Sequence, residues 1–262
     1  MRRFLLVLLL LLPGVGVSQA AERLNDAEAV NYAGSLRYLS QRVMKNYLAV
    51  GAAIRPDKAH QQLDESVAEF EQHLQQLLDY AADSDLQKSL RQIESLWQQQ
   101  RQMLLSTPQK DQAKTLLQDN NRLLALCEQT THAISQAITQ ATNRPEALLI
   151  NIAGRQRMLS QKIAKAYFAL YWNVQDEGLK AEFEQAVQQF SLAMTQLQGS
   201  PESTEQIRQA LARVDSQWTF SQTGFALNKE GRYVPTVIAV TTESILWKMD
   251  AITHQYEELM NL

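Results

Sequence analysis

A segment of eleven residues occurs twice in the chain, and this duplication restricts the possible folds more than any other feature. The two copies are Asn31–Gln41, the first motif, and Asn151–Gln161, the second motif; both read N-x-A-G-x-x-R-x-L-S-Q. Each copy is followed at the same spacing by a lysine, which is Lys45 or Lys165. An internal repeat at a constant offset indicates duplicated structural units. We therefore expect a fold built from two similar halves.

The small and polar residues of each motif share one side of a helix. On a wheel with about 100° per residue, the motif residues within about 60° of Arg37 are Ala33, Gly34, Ser40 and Gln41. The bulky apolar residues lie on the opposite side, and the second motif repeats this division around Arg157. Each motif helix therefore has one face for a core and one face that presents an arginine among small residues.

The charge pattern marks the same two segments as cationic. Residues 31–56 and 147–175 contain arginine and lysine but neither aspartate nor glutamate. The whole chain has 25 Lys and Arg against 28 Asp and Glu, a net charge of −3, which argues against nucleic acid or an anionic membrane as a partner. A guanidinium without a carboxylate on its own helix presents a planar fork of donors that suits a planar oxyanion.

The N-terminus has the pattern of a secretory signal peptide. A basic start at Arg2 and Arg3 precedes an apolar run, Phe4–Leu12, and small residues follow at Ser18 and Ala20. This pattern predicts a Sec signal at residues 1–20, cleaved after Ala20, and a soluble periplasmic or secreted product. The apolar run is too short to span a bilayer.

Low glycine and proline content and apolar residues at three- and four-residue spacings predict an all-α protein. The positions of glycine, proline and capping residues predict eight helices joined by short connections. Short connections make neighbouring helices antiparallel, which predicts two tandem antiparallel up-down four-helix bundles, residues 21–143 and 144–262. The expected helices run from Asp26, capped by Asn25, to Val50, Pro56 to Ala82, Asp83 or Ser84 to Ser106, Pro108 to Thr142, Pro145 to Asn173, beyond Gly178 to Gly199, Ser200 to an interruption at Glu230–Arg232, and Pro235 to near the C-terminus.

Weaker similarities at nearly the same offset extend the duplication beyond the motifs. They are Phe70 with Phe190, Leu77 with Leu197, and Trp97 with Trp218. Cys127 is the single cysteine and lies in an apolar helical run, so we expect a small core residue and no intrachain disulfide.

A motif of this kind at the start of a four-helix bundle resembles the PilJ-type sensor domain of type IV pilus chemotaxis transducers. It is also similar to the periplasmic domain of NarX-type nitrate/nitrite sensor kinases. The resemblance implies that an arginine from each of two parallel first helices binds one anion, which assigns this role to Arg37 and Arg157. Gly34 and Gly154 would then permit close approach of the helices. Tyr38 stands where methionine is usual and is expected to reshape the pocket.

We therefore expect a sensor-like protein that binds nitrate or nitrite and relays its state to a membrane receptor or sensor kinase. The residues that would line or orient the site are Ser40, Gln41, Ser160 and Gln161. No metal site, cofactor or catalytic arrangement is predicted, so we do not expect an enzyme.

The sequence leaves several alternatives open. The two motif faces could meet within one chain or between the chains of a homodimer, or the two bundles could lie end to end, with the arginines far apart. The small residues could also serve tight helix packing alone, with each arginine reaching solvent or a carboxylate on another helix. In that case the protein is a ligand-free interaction module that binds itself or the sensor domain of a receptor.

Overall fold

The computed structural model describes residues 23–82, 84–226 and 234–261. The predicted signal peptide and the predicted interruption at Glu230–Arg232 lie outside these ranges. Within them the chain forms eight helices and no strand, which confirms the all-α prediction. The helices are α1 Asp26–Gly51, α2 Pro56–Tyr80, α3 Ser84–Leu104, α4 Lys110–Thr142, α5 Glu146–Tyr171, α6 Leu179–Gln198, α7 Glu205–Ala226 and α8 Val234–Met260.

The start of α1 agrees with the sequence, and its cap is complete. The side-chain oxygen of Asn25 accepts a hydrogen bond from the Glu28 backbone N–H at 2.9 Å. The Glu28 carboxylate in turn accepts from the Asn25 backbone N–H at 2.8 Å. This capping box satisfies two backbone donors that have no partner within the helix.

The predicted start of α4 at Pro108 is wrong by two residues, because a tertiary contact holds the preceding backbone. Gln109 is extended and donates its backbone N–H to the Tyr47 hydroxyl of α1 at 3.0 Å. The helix therefore begins at Lys110, after this bond.

The predicted start of α7 at Ser200–Glu202 is also wrong. The Ser203 hydroxyl lies 2.6 Å from the Tyr256 hydroxyl of α8, which holds the preceding turn in place. The Thr204 side chain then accepts from the Ile207 backbone N–H at 3.2 Å and caps a helix that begins at Glu205.

The centre of the fold is the pair α1 and α5, which lie side by side and run parallel. Their C-terminal ends meet where Gly51 touches the ring of Trp172. Further back, Gln41 of α1 and Lys165 of α5 both donate to the Asn120 side chain of α4, at 2.9 and 3.3 Å. The end-to-end alternative is therefore wrong. The polar face of each motif helix is buried against the other motif helix and its neighbours.

The two halves repeat their aromatic packing, which confirms that the duplication extends beyond the motifs. Phe70 stacks on Trp97 with ring centroids 4.3 Å apart, and Phe190 packs on Trp218 at 4.2 Å. All four rings are buried, and burying a side chain of this size contributes about 1.5–3 kcal/mol. Cys127 of α4 is buried in the core, as predicted.

None of the described helices combines the length and the apolar character that crossing a bilayer requires.

We expect Gly51→Ala to lower the free energy of unfolding by about 1–3 kcal/mol, because an added Cβ would overlap the Trp172 ring. Urea denaturation measures this change. Gly199→Ala is the matched control, since a Cβ there would lie 3.5 Å from its nearest neighbour, and we expect a change below about 1 kcal/mol. Equal effects of the two substitutions would contradict the contact between the ends of α1 and α5.

Candidate functional site

Arg37 and Arg157 meet in the interface between α1 and α5, which we name the arginine seam. Arg37 donates from Nη1 to Asn151 Oδ1 at 2.8 Å and from Nη2 to the Asn151 carbonyl at 3.0 Å. Arg157 donates from Nη2 to Asn31 Oδ1 at 2.7 Å. Each arginine therefore binds the asparagine that opens the opposite motif. Both side chains are almost fully buried, with residue exposures of 3% and 1%.

Gly34 and Gly154 provide the space in which the two guanidinium groups lie. A Cβ added to Gly154 would be 3.2 Å from Nη2 of Arg37 and 3.2 Å from Nη2 of Arg157. At Gly34 the same two distances would be 3.2 and 3.4 Å. The two positively charged groups are therefore close neighbours. The glycines leave room for these side chains, whereas the sequence suggested that they serve the approach of the backbones.

The motif serines lie one turn further along and contact the backbone of the arginines. Ser40 Oγ donates to the Arg37 carbonyl at 2.8 Å, and Ser160 Oγ donates to the Arg157 carbonyl at 2.7 Å. These bonds stay within each motif helix, and they leave the guanidinium groups to other partners.

The motif glutamines extend the same layer away from the arginines. Gln41 donates to Ser40 Oγ at 3.2 Å as well as to Asn120, and Gln161 donates to Ser160 Oγ and to the Thr242 carbonyl of α8 at 3.1 and 3.3 Å. Oε1 of both glutamines is buried without a hydrogen-bond partner among the described residues. The four serine and glutamine residues therefore lie next to the arginine seam, one turn further along α1 and α5, and do not bond to the guanidinium nitrogens.

The two arginines differ in their electrostatic partners. Arg157 Nη1 forms an ion pair with Asp250 Oδ1 of α8 at 2.5 Å. Glu128 has the corresponding place on α4, since each of these acids is followed by a histidine four residues later. Glu128 instead lies 3.6 Å from Arg155 Nε, and among the described residues no carboxylate lies within ion-pair distance of Arg37. The arginine seam thus holds two cations and one directly bonded anion.

The pKa of Arg37 reflects this imbalance. Burial lowers it to about 9, the charge of Glu128 opposes the shift, and the charge of Arg157 adds to it. Nε of both Arg37 and Arg157 is buried without a hydrogen-bond partner in the described part of the chain. At neutral pH the Arg37 guanidinium stays protonated, so its positive charge is buried with incomplete compensation.

A second buried layer contains the lysine that follows each motif. Lys45 Nζ lies 2.7 Å from Glu243 Oε2 of α8 and donates to Gln62 Oε1 of α2 at 3.5 Å. Arg42 shares the same acid, with its Nη2 at 2.6 Å from Glu243 Oε1. The carboxylate for the first lysine therefore comes from the second half of the chain.

Lys165 has the same surroundings with the carboxylate and the amide exchanged. Its Nζ lies 2.8 Å from Glu182 Oε1 of α6 and 2.9 Å from Asn121 Oδ1 of α4. Glu182 follows Gln62 by the repeat offset. Each buried lysine therefore has a carboxylate and an amide, but on opposite neighbours, and a buried charge requires such a partner.

Sequence reasoning missed several of these partners. Both motifs begin with an asparagine, Asn31 or Asn151, and this shared residue was a usable signal for a role at the arginine seam. Asp250, Glu243 and Glu182 come from other helices than the cations they bind, and no local sequence pattern pairs them with those cations.

Glu243→Gln should lower the free energy of unfolding by about 3–5 kcal/mol at neutral pH, because it leaves Lys45 buried without a carboxylate and Arg42 with only Glu65, at 3.5 Å. We expect a loss of similar size for Glu182→Gln, the matched variant at the other buried lysine, Lys165. Glu184→Gln, in an exposed pair with Lys180, should change it by less than about 0.5 kcal/mol. Chemical denaturation measures all three.

The ion pairs of Glu243 with Lys45 and Arg42 make the stability of the protein depend on pH. Burial raises the pKa of Glu243, but the charges of Lys45 and Arg42 outweigh burial and lower it to about 2. Because this pKa lies below that of an unfolded glutamate, about 4.3, its contribution to stability is present above that value and is lost as the pH falls toward 2. The difference between wild type and Glu243→Gln should shrink over this range. A constant difference would contradict the ion pair.

The chain matches the profile of a known protein family. The profile of the PilJ family, described as the N-terminal part of type IV pili methyl-accepting chemotaxis transducers, matches residues 19–123 and 138–233. The first matched segment contains the first motif and the second contains the second motif. No curated protein and no solved structure matches the chain. Since the two segments together cover well over half of its length, the chain belongs to the PilJ family and carries the domain twice in tandem.

Proposed function

We propose that this protein binds one small monovalent oxyanion, nitrate or nitrite, in the arginine seam, and that binding is its sensory signal. PilJ domains are sensory and signalling helical domains. The observation that supports a ligand is the meeting of two buried guanidinium groups, those of Arg37 and Arg157, with a single bonded carboxylate, that of Asp250.

The charge balance favours a monoanion. Two like charges in a buried site repel each other, and removing an ion from water without compensation costs several kcal/mol. Asp250 balances one of the two arginines. One further negative charge would balance the other, whereas a dianion such as sulfate would leave an excess. Nitrate and nitrite are also planar, which suits the planar donor fork of a guanidinium.

The unpaired Nε atoms indicate where an anion gains hydrogen bonds. Nε of Arg37 and of Arg157 is buried without a partner among the described residues. The Nη atoms already donate to Asn31 and Asn151. An anion in the seam would accept from Nε and would replace part of the bonding to these asparagines.

Such an exchange couples the ligand to the packing of the helices. Asn31 lies on α1 and Asn151 on α5, so their bonds to the arginines join the two helices. Replacing them with an anion shared by both arginines would shift α1 relative to α5. A ligand changes a conformational equilibrium by its difference in affinity for the two states, and this exchange supplies such a difference.

The proposal places the protein in the periplasm, where it would pass its state to a membrane receptor or sensor kinase. PilJ domains are usually periplasmic in the transducers that contain them. The resemblance of the motif to NarX-type nitrate/nitrite sensors supports the choice of ligand, and a homodimer is compatible with it. The predicted export signal lies outside the described residues.

One observation favours a second candidate function, that of a ligand-free interaction module. Asp250, Asn31 and Asn151 already satisfy five donor contacts of the two arginines, so the arginines could act only as a link between helices. This candidate predicts that anions leave the melting temperature unchanged. Substituting the arginines would then alter self-association or capture of a receptor domain.

Isothermal titration calorimetry separates the two candidates. We expect one nitrate or nitrite per chain to bind, with sulfate and chloride much weaker. Arg37→Gln and Arg157→Gln should each weaken nitrate binding by about 10–100-fold, the effect of losing a charged hydrogen bond.

The control for this experiment is Arg122→Gln, an exposed arginine paired with Asp119, which should bind as wild type does. Circular dichroism establishes that the variants are folded. Absence of both binding heat and a shift in melting temperature with millimolar nitrate would reject the anion proposal.

A further inference from the structure

A cavity of about 230 Å³ opens beside Arg37. It lies between α4 and α5, and its lining residues are Arg37, Glu128, His132, Asn151, Ile152 and Arg155. Arg37 is the buried member of this set, and its Nε has no partner among the described residues. The cavity therefore leads from the surface to one of the two seam arginines.

The second cation of this cavity is only loosely held. The side chain of Arg155 is 44% exposed, its Nε lies 3.6 Å from Glu128, and its Nη2 lies 3.5 Å from Gln189 Oε1. It occupies a variable position of the motif, where the first motif has Ser35. Arg37 and Arg155 give the cavity two positive charges against the one negative charge of Glu128.

The opposite side of the arginine seam, beside Arg157, is filled by aromatic side chains. Tyr32 stands where the second motif has Ile152, and its ring stacks on His73 of α2 at a centroid distance of 4.2 Å. Ser35 Oγ lies 2.5 Å from His73 Nδ1 and fixes the imidazole in this position. Tyr32 and Ser35 belong to this packed stack. Their counterparts in the second motif, Ile152 and Arg155, line the cavity.

Tyr38 completes this covering. The Arg157 guanidinium lies 5.0 Å from the centre of the Tyr38 ring, and the Tyr38 hydroxyl is bonded to Glu69 of α2. The second motif has Met158 at this position. The tyrosine that the sequence singled out as a departure from the family pattern therefore covers the opposite arginine.

The acidic groups are also distributed unequally. Asp250 binds Arg157, Glu69 binds Tyr38, and Glu257 accepts a hydrogen bond from Asn31 Nδ2 at 2.6 Å. On the cavity side, Asn151 Nδ2 donates to the neutral Ser135 hydroxyl at 3.1 Å. An approaching anion therefore meets net positive charge on the Arg37 side and several carboxylates on the Arg157 side.

We propose that the anion enters and occupies the arginine seam from one side only, through the cavity beside Arg37, and that Arg155 is a further binding residue that draws it in. The proposal rests on the anion-binding function proposed above. The two motifs form a site with approximate two-fold symmetry. Because their variable residues differ, the site is open beside Arg37 and covered beside Arg157. One chain therefore binds one anion.

Exchanging residues between the two motifs tests this directly. Arg155→Ser introduces the residue of the first motif, and we expect it to weaken nitrate binding about three- to tenfold. It should also slow association and reduce the dependence of the association rate on ionic strength, which a structural role alone would not do. Calorimetry gives the affinity, and stopped-flow tryptophan fluorescence gives the rate.

Ile152→Tyr fills the cavity with the residue of the first motif and should abolish binding. Tyr32→Ile is the matched change on the covered side, and we expect the nitrate affinity to stay within about twofold of wild type, because the acids there remain. Melting temperatures establish folding. Should Ile152→Tyr fail to fold, Arg155→Ser still decides, since its side chain is half exposed.

The possible failures are distinguishable. If wild type binds nitrate and Arg37→Gln does not, but Arg155→Ser and any folded Ile152→Tyr bind as wild type does, one-sided entry is wrong and the anion-binding function stands. A loss of affinity in Tyr32→Ile equal to that in Arg155→Ser would also overturn one-sided entry. If wild type does not bind nitrate, both proposals are wrong.

Discussion

Two buried guanidinium groups, each bonded to the asparagine of the opposite motif, set the conditions for the rest of the fold. Gly34 and Gly154 leave the space in which Arg37 and Arg157 come together. Their bonds to Asn31 and Asn151 tie α1 to α5 in parallel register. α2, α4, α6 and α8 pack directly against this pair. A cation in such a place needs negative partners, since uncompensated burial costs several kcal/mol.

The chain compensates its duplicated cations differently in the two halves. For the buried lysines, Glu243 and Glu182 come from opposite neighbours, so that each lysine has one carboxylate. For the arginines the compensation is incomplete, because Asp250 pairs with Arg157 while Glu128 lies at Arg155. Duplication provided two equivalent positions, and divergence of the surrounding residues made them different. A two-fold motif can therefore hold a site for a single anion.

Much of the fold could be predicted from the sequence because its determinants are local. The capping box at Asn25, the helical spacing of apolar residues and the repeat offset gave the helices and their pairing into two halves. The errors arose where a distant side chain fixed the backbone. Tyr47 holds the start of α4 and Tyr256 that of α7, and neither contact leaves a trace in the local sequence.

The candidate site was predictable in its centre and not in its surroundings. Arg37 and Arg157 could be found because motif identity and the absence of acids both mark them. Asp250 could not be found, since it lies 93 residues from Arg157 and its helix has no motif of its own. Tyr38 was recognised as unusual, but its position over Arg157 depends on how α1 and α5 face each other.

Nuclear magnetic resonance of the arginine side chains gives the most direct view of the arginine seam. The Nε–H groups of Arg37 and Arg157 have no partner among the described residues, so their ¹⁵N resonances report any new acceptor. We expect nitrate to shift both resonances together and to saturate at one equivalent per chain. Resonances of these two groups that do not move, while those of exposed arginines drift with added salt, would contradict an anion shared between them.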